Sequence, residues 1–184
     1  MNINSREIKR TSLNWIESFV IDLNLCPFAK REVRADKLKL SVTNADNDKD
    51  LIISLEQEIQ YLLGQPNIET TLLIHPNVLL DFREYNDFLV VADKLLEILG
   101  AHGVLQIASF HPDYQFAGTH IDDPENFTNK SPYPMLHLLR ESSVTRAIEQ
   151  HADSSQIPED NIVRLREIGK CQLEKLFVAC FTHS

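Results

Sequence analysis

Residues 68–112 read "IETTLLIHPNVLLDFREYNDFLVVADKLLEILGAHGVLQIASFHP". Two apolar, β-branched runs lie at its ends, "IETTLLIHP" closed by Pro76 and "VLQIASFHP" closed by Pro112. Both are nearly continuous in apolar character, as strands covered on two faces are. Between them Phe82, Tyr85, Phe88, Leu89, Ala92, Leu95, Leu96 and Leu99 recur at helical spacing and stop at Gly100, where a helix end favours glycine. The segment therefore reads strand, helix, strand.

Working outward, Leu38, Leu40 and Val42 alternate with polar residues as a half-buried strand does, and "TNADNDKD" (43–50) follows as a solvated turn. Ile52, Leu55, Ile59, Leu62 and Leu63 then give an amphipathic helix closed by Gly64. The order predicts an α/β fold with a mostly parallel three-stranded core (βαβαβ) near residues 38–43, 69–75 and 104–110 and right-handed crossovers. The first strand, patterned on one face only, belongs at an edge. A helix carrying Ile8, Ile16, Phe19, Val20 and Leu23 precedes this core and ends before Cys26-Pro27. A further helix is expected from Ser131, with Pro132 and Pro134 in its first turn, and a last one from Ile157-Pro158 through Ile162, Leu165, Leu173, Leu176 and Phe177. The expectation is a single α/β domain over residues 1–184 with about five helices.

At 184 residues, 43% hydrophobic and 24% charged, the chain is of ordinary globular composition. No apolar run approaches the ~20 residues of a membrane span, and the first residues lack a signal peptide's apolar core, so a cytoplasmic location is expected. Net charge is −9 and the 18 Lys and Arg are scattered, which argues against nucleic acid as a partner. Cys26, Cys171 and Cys180 form no CxxC pair, which argues against a disulfide framework or a structural zinc. Sequons at Asn126 and Asn129 are chance matches without a secretory signal. A glycine-rich phosphate loop, a nucleophile elbow and HExxH are all missing, so no cofactor is named.

Four blocks carry a resemblance: "LNLCPFAK" (23–30), "LQIASFHPDYQFAG" (105–118), "NFTNKSPYPMLHLLRE" (126–141) and "IPEDNIVRLREIG" (157–169). In this order they resemble a set of bacterial proteins of about this length, the domain of unknown function 1415 family. The resemblance implies no catalytic residue. The family has an arginine where this chain has Lys130, a change that keeps the charge.

Both apolar strands end in the same pair, His75-Pro76 and His111-Pro112. Ligands of open parallel sheets bind outside the carboxyl ends of strands, so neighbouring strands in register would put both histidines at one edge, with Asp113 just beyond. Two imidazoles and a carboxylate suit a zinc, iron or manganese ion. They suit histidines bonded to loop carbonyls as well, and they match no known metal motif, so no metal ligand is assigned.

The helix expected from Ser131 would offer an anion site at its start, with Lys130 beside it. Tyr133, His137 and Arg140 would share one stripe, with Leu136 and Leu139 turned inward. Arg140 is then the candidate to hold a carboxylate or phosphate, and Tyr133 and His137 a proton-transferring pair; the plain alternative is a solvated face with Arg140 in a salt bridge. The long stretch before it exceeds a minimal connection, and Tyr114, Phe116 and Phe127 suit an ordered lid. Asp122 and Asp123 are turn residues or else an acid, a base or hard-metal ligands, and Cys26 is a nucleophile or a small buried residue.

The reading that follows is an enzyme acting on a small anionic metabolite. His111, Asp113, His137 and Tyr133 are its catalytic candidates, and Arg140, Lys130, Ser131 and His75 its ligand-binding candidates, converging in one pocket. The alternative is a non-catalytic domain that binds a metabolite or a protein through the 111–131 loop.

Overall fold

The computed structural model describes residues 4–150 and 154–182. Helix α1 (Ser5–Trp15) runs directly into a π-helix (Ile16–Ile21), in which Asp22 N–H reaches the Glu17 carbonyl at 3.1 Å. A short α2 (Ala29–Arg34) leads to β1 (Leu38–Val42), α3 (Asp48–Gly64), β2 (Thr70–Ile74), α4 (Phe82–Ile98) and β3 (Leu105–Phe110). A 3-10 turn (Pro124–Thr128), β4 (Met135–Arg140), α5 (Glu141–Gln150), α6 (Ile157–Ile168) and α7 (Lys170–Thr182) follow.

These elements form a mixed α/β structure whose sheet has four strands in the order β1-β2-β4-β3. β1 pairs parallel to β2 and sits at an edge, as its one-sided pattern predicts. β2 and β3 run in the same direction but are not neighbours, because β4 lies between them and is antiparallel to both.

That placement corrects the helix expected from Ser131. "MLHLLR" is too short for periodicity to separate a buried strand from a helix. The prolines were the better signal. A residue before proline is pushed toward extended backbone, and Ser131 and Tyr133 both precede one, so the chain enters residue 135 already extended. Helix follows only from Glu141. The last expected helix is also divided, by Gly169 at φ 77°, a conformation that favours glycine.

Each face of the sheet carries its own helical layer. On one, Leu51, Leu55, Ile59 and Leu62 of α3 and Tyr85, Phe88, Ala92 and Leu96 of α4 pack on Leu73, Leu105, Leu136 and Leu138. Full burial of each such leucine contributes roughly 1.5–3 kcal/mol. Asn47 and Asp81 cap the two helices by accepting backbone N–H groups of Asp50 and of Arg83 and Glu84. On the other face, Leu72, Ile74 and Met135 meet Trp15, Phe19, Leu165 and Leu173 from α1, the π-helix, α6 and α7. β2 is buried throughout, as its unbroken apolar run requires.

Candidate functional site

His75 and His111 do come together at the carboxyl edge of the sheet, with Tyr85 between them. The Tyr85 ring lies 5.9 Å from that of His75 and 5.1 Å from that of His111. His75 is fully buried and donates from Nδ1 to the Val78 carbonyl at 2.9 Å. His111, also fully buried, accepts the Asp113 N–H on Nδ1 at 3.0 Å and donates from Nε2 to the Leu79 carbonyl at 3.2 Å. Leu79 has a φ of 56°, a strained conformation for leucine, and the His111 bond holds it. Both histidines thus pin the loop between β2 and α4.

This arrangement does not present a metal triad. Both His111 ring nitrogens are engaged, Asp113 meets His111 through its backbone, and no group of His, Cys, Asp and Glu among the described residues is placed to hold a metal ion. Burial pushes His75 down to about 4 and lowers His111 as well.

The expected convergence of Tyr133, His137 and Arg140 with His111 is corrected by β4. Along a strand alternate side chains face opposite sides, so Tyr133, Met135 and His137 look toward the π-helix layer and Leu136, Leu138 and Arg140 toward α3 and α4. Arg140 pairs with Leu105 at the far end of β3, while Met135 pairs with Phe110. At ~3.4 Å per residue that places Arg140 roughly 17 Å from the His111 end. Its guanidinium donates to the carbonyls of Ile68 and Gln65, each at 2.9 Å, and of Leu62, closing the carboxyl end of α3. Ser131 donates to the Tyr133 carbonyl at 2.6 Å instead of capping a helix. Lys130 lies over the Phe127 ring, 4.9 Å from its centroid, and burial lowers its pKa.

The 111–131 stretch is ordered by Asn126. Its side-chain carbonyl accepts Phe116 N–H at 3.0 Å and the Thr119 hydroxyl at 2.9 Å, and its amide donates to the His120 carbonyl at 2.8 Å. Asp122 is paired with Lys170, and Glu125 with Arg166, in both cases at 2.6 Å.

His137 leads to a different place. A cavity of about 160 Å³ lies between the π-helix, residues 26–33, the sheet and the first turns of α5. Its wall is almost wholly apolar, with Trp15, Ile16, Val20, Phe110, Val144 and Ala147 prominent. His137 and Thr70 supply polar groups on the sheet side. The Thr70 hydroxyl touches His137 Nε2 at 2.5 Å and the Leu138 carbonyl at 2.7 Å. A carbonyl only accepts and a hydroxyl has one proton, so both contacts are hydrogen bonds only if Thr70 donates to Leu138 and His137 Nε2–H donates to Thr70. Burial lowers His137 to about 4, which keeps the ring neutral.

Cys26 lines the same cavity, and burial raises its thiol against the pull of the Phe28 and Ala29 N–H groups. It is a protonated wall residue, without a hydrogen bond to any histidine among the described residues. At the outer side Arg31 of α2 binds Gln150 of α5 at 3.1 Å and Glu32 at 2.7 Å.

A family model described as a protein of unknown function (DUF1415) matches residues 7–175. The chain belongs to this family. No curated protein and no solved structure matches it.

Within this DUF1415 chain the four sequence blocks quoted above all bear on the cavity. Residues 23–30 carry part of its wall, the blocks at 105–118 and 126–141 supply Phe110 and His137, and the block at 157–169 holds the wall in place. There Asn161 donates to the Leu25 carbonyl at 2.9 Å, and Arg164 to those of Leu23 and Asn24, both at 3.0 Å. The sequence reading missed Thr70, Trp15 and Asn161. Of these only Asn161 carried a signal, a polar residue one helical turn before core-facing Leu165. The π-helix, a form often found at functional sites, left none.

Proposed function

We propose that this protein binds a small, mostly apolar organic molecule in the cavity beside the π-helix, through a recognition site rather than the convergent acid–base site expected from sequence. One observation carries the reading: about 160 Å³ of space with an apolar wall and few polar groups. Close-packed interiors leave few voids larger than a water. At ~24 cal/mol per Å³ a sealed empty space of that volume would cost on the order of 4 kcal/mol, an upper bound for one that reaches the surface at Arg31. A bound molecule would offset that cost, and an apolar cavity near 150 Å³ is known to take benzene.

The small-anion enzyme loses support on the same geometry. Arg140 closes α3 and Lys130 lies on Phe127, so neither offers charge to the cavity. Arg31, where the wall reaches the surface, already has Glu32 and Gln150. A carboxylate inside would be buried without a counter-charge, which is strongly unfavourable.

Trp15 is the only tryptophan of the chain and lines the cavity, so its fluorescence reports occupancy directly. Titration with benzene should change Trp15 emission saturably and raise the thermal midpoint. Ala147→Phe, which fills the space, should abolish both responses in a chain that still unfolds cooperatively. Benzene leaving wild-type emission and midpoint unchanged would remove this reading.

A further inference from the structure

Resting on the cavity reading, we infer that the ligand is a neutral molecule bearing a hydrogen-bond donor on a ring-sized apolar body, of the phenol type, with the donor seated on Nδ1 of His137. The tautomer of the His137 ring is set by Thr70. Its single proton goes to the Leu138 carbonyl at 2.7 Å, which makes the 2.5 Å contact to His137 a donation from Nε2–H. A neutral imidazole protonated on Nε2 carries its lone pair on Nδ1.

Among the described residues that lone pair has no partner. No hydrogen bond reaches His137 Nδ1 from any described residue, and the atom is not among the sealed, unpaired buried atoms, which include His75 Nε2 and Trp15 Nε1. His137 lines the cavity, and an Nδ1 that is neither bonded nor sealed among the described residues has that space to open onto.

Strand pairing fixes where the acceptor sits. Thr70 pairs with Leu139 and Leu72 with His137, and the imidazole is packed against Phe110, ring centres 5.8 Å apart. The acceptor therefore stands on the rigid sheet, facing Val144, Ala147 and Val20, while Ser143 and Glu69, which also line the space, are committed to each other and Glu69 to Lys37 as well. A ligand donor gains a partner there. A carboxylate would bring a lone pair against a lone pair and a charge without a counter-ion.

The discriminating experiment compares phenol, toluene and benzoate on the wild-type chain by Trp15 fluorescence, with the imidazole ¹⁵N shifts of His137 recorded in each complex. Toluene and phenol should both bind, phenol alone should shift Nδ1 toward its hydrogen-bonded value, and benzoate should bind at least about tenfold more weakly than phenol. In His137→Phe, toluene binding should persist while phenol affinity falls by about tenfold, the usual worth of such a bond. The ¹⁵N comparison needs no variant and stands if His137→Phe fails to fold. Toluene binding with phenol excluded, phenol binding without an Nδ1 shift, or benzoate binding as tightly as phenol would overturn the inference and leave the cavity reading intact. Failure of both toluene and phenol to bind would overturn both.

Discussion

The Tyr85 hydroxyl donates to the Met135 carbonyl at 2.7 Å and accepts the Phe110 N–H at 3.0 Å, so one side chain of α4 ties the first residue of β4 to the last of β3. Met135 and Phe110 are register partners. Removing the hydroxyl leaves a buried donor and a buried acceptor without partners, each worth about 1–3 kcal/mol. Tyr85→Phe, which keeps the ring between the two histidines, should lower unfolding free energy by about 2–4 kcal/mol in urea titrations. A loss under about 0.5 kcal/mol would show that the bonds are not made.

Arg140 supports the fold rather than a ligand. With three backbone carbonyls on its guanidinium, Arg140→Ala should destabilise by roughly 2–4 kcal/mol, and Arg140→Lys should recover little, because an ammonium cannot reproduce the fork. At a temperature where the variants stay folded, benzene titration of Trp15 should match wild type. Loss of binding without loss of stability would return Arg140 to the site.

The buried histidines set a pH window. His75 is lowered from 6.5 to about 4 by burial. Below about pH 6.5 the unfolded chain therefore takes up a proton that the fold refuses. Its contribution is complete above that pH and is lost as pH falls toward 4, by about 3 kcal/mol. His137, lowered to the same value, adds in the same direction. His75→Phe should flatten the measured slope of stability between pH 6.5 and 4; an unchanged slope would show that His75 titrates normally.

Asn126 should control the loop that follows β3. Asn126→Ala removes the acceptor of Phe116 N–H and the donor to His120. Hydrogen exchange at the Phe116 amide should accelerate by at least about tenfold while amides of β2 keep their protection. Uniform acceleration across the sheet would mean that Asn126 acts on global stability instead.

Much of this chain was legible because its cues are local. Apolar spacing along α3 and α4, Gly64 and Gly100 at their ends and the two His-Pro strand ends are each contained in a few consecutive residues, and each survives in the fold. The one-sided pattern of residues 38–42 was enough to place β1 at an edge. What the sequence could not decide was the state of residues 135–140, since six mostly apolar residues fit a period of 2 as well as one of 3.6. Packing decided it: β2 and β3 leave a gap that a strand fills with hydrogen bonds on both sides, an outcome no helix offers. That choice turned Arg140 away from His137 and closed it onto the end of α3. The cavity was out of reach for the same reason. Its wall joins Trp15, Cys26, Thr70, His137 and Ala147 from separate parts of the chain, and a space between segments exists only once tertiary packing has brought them together.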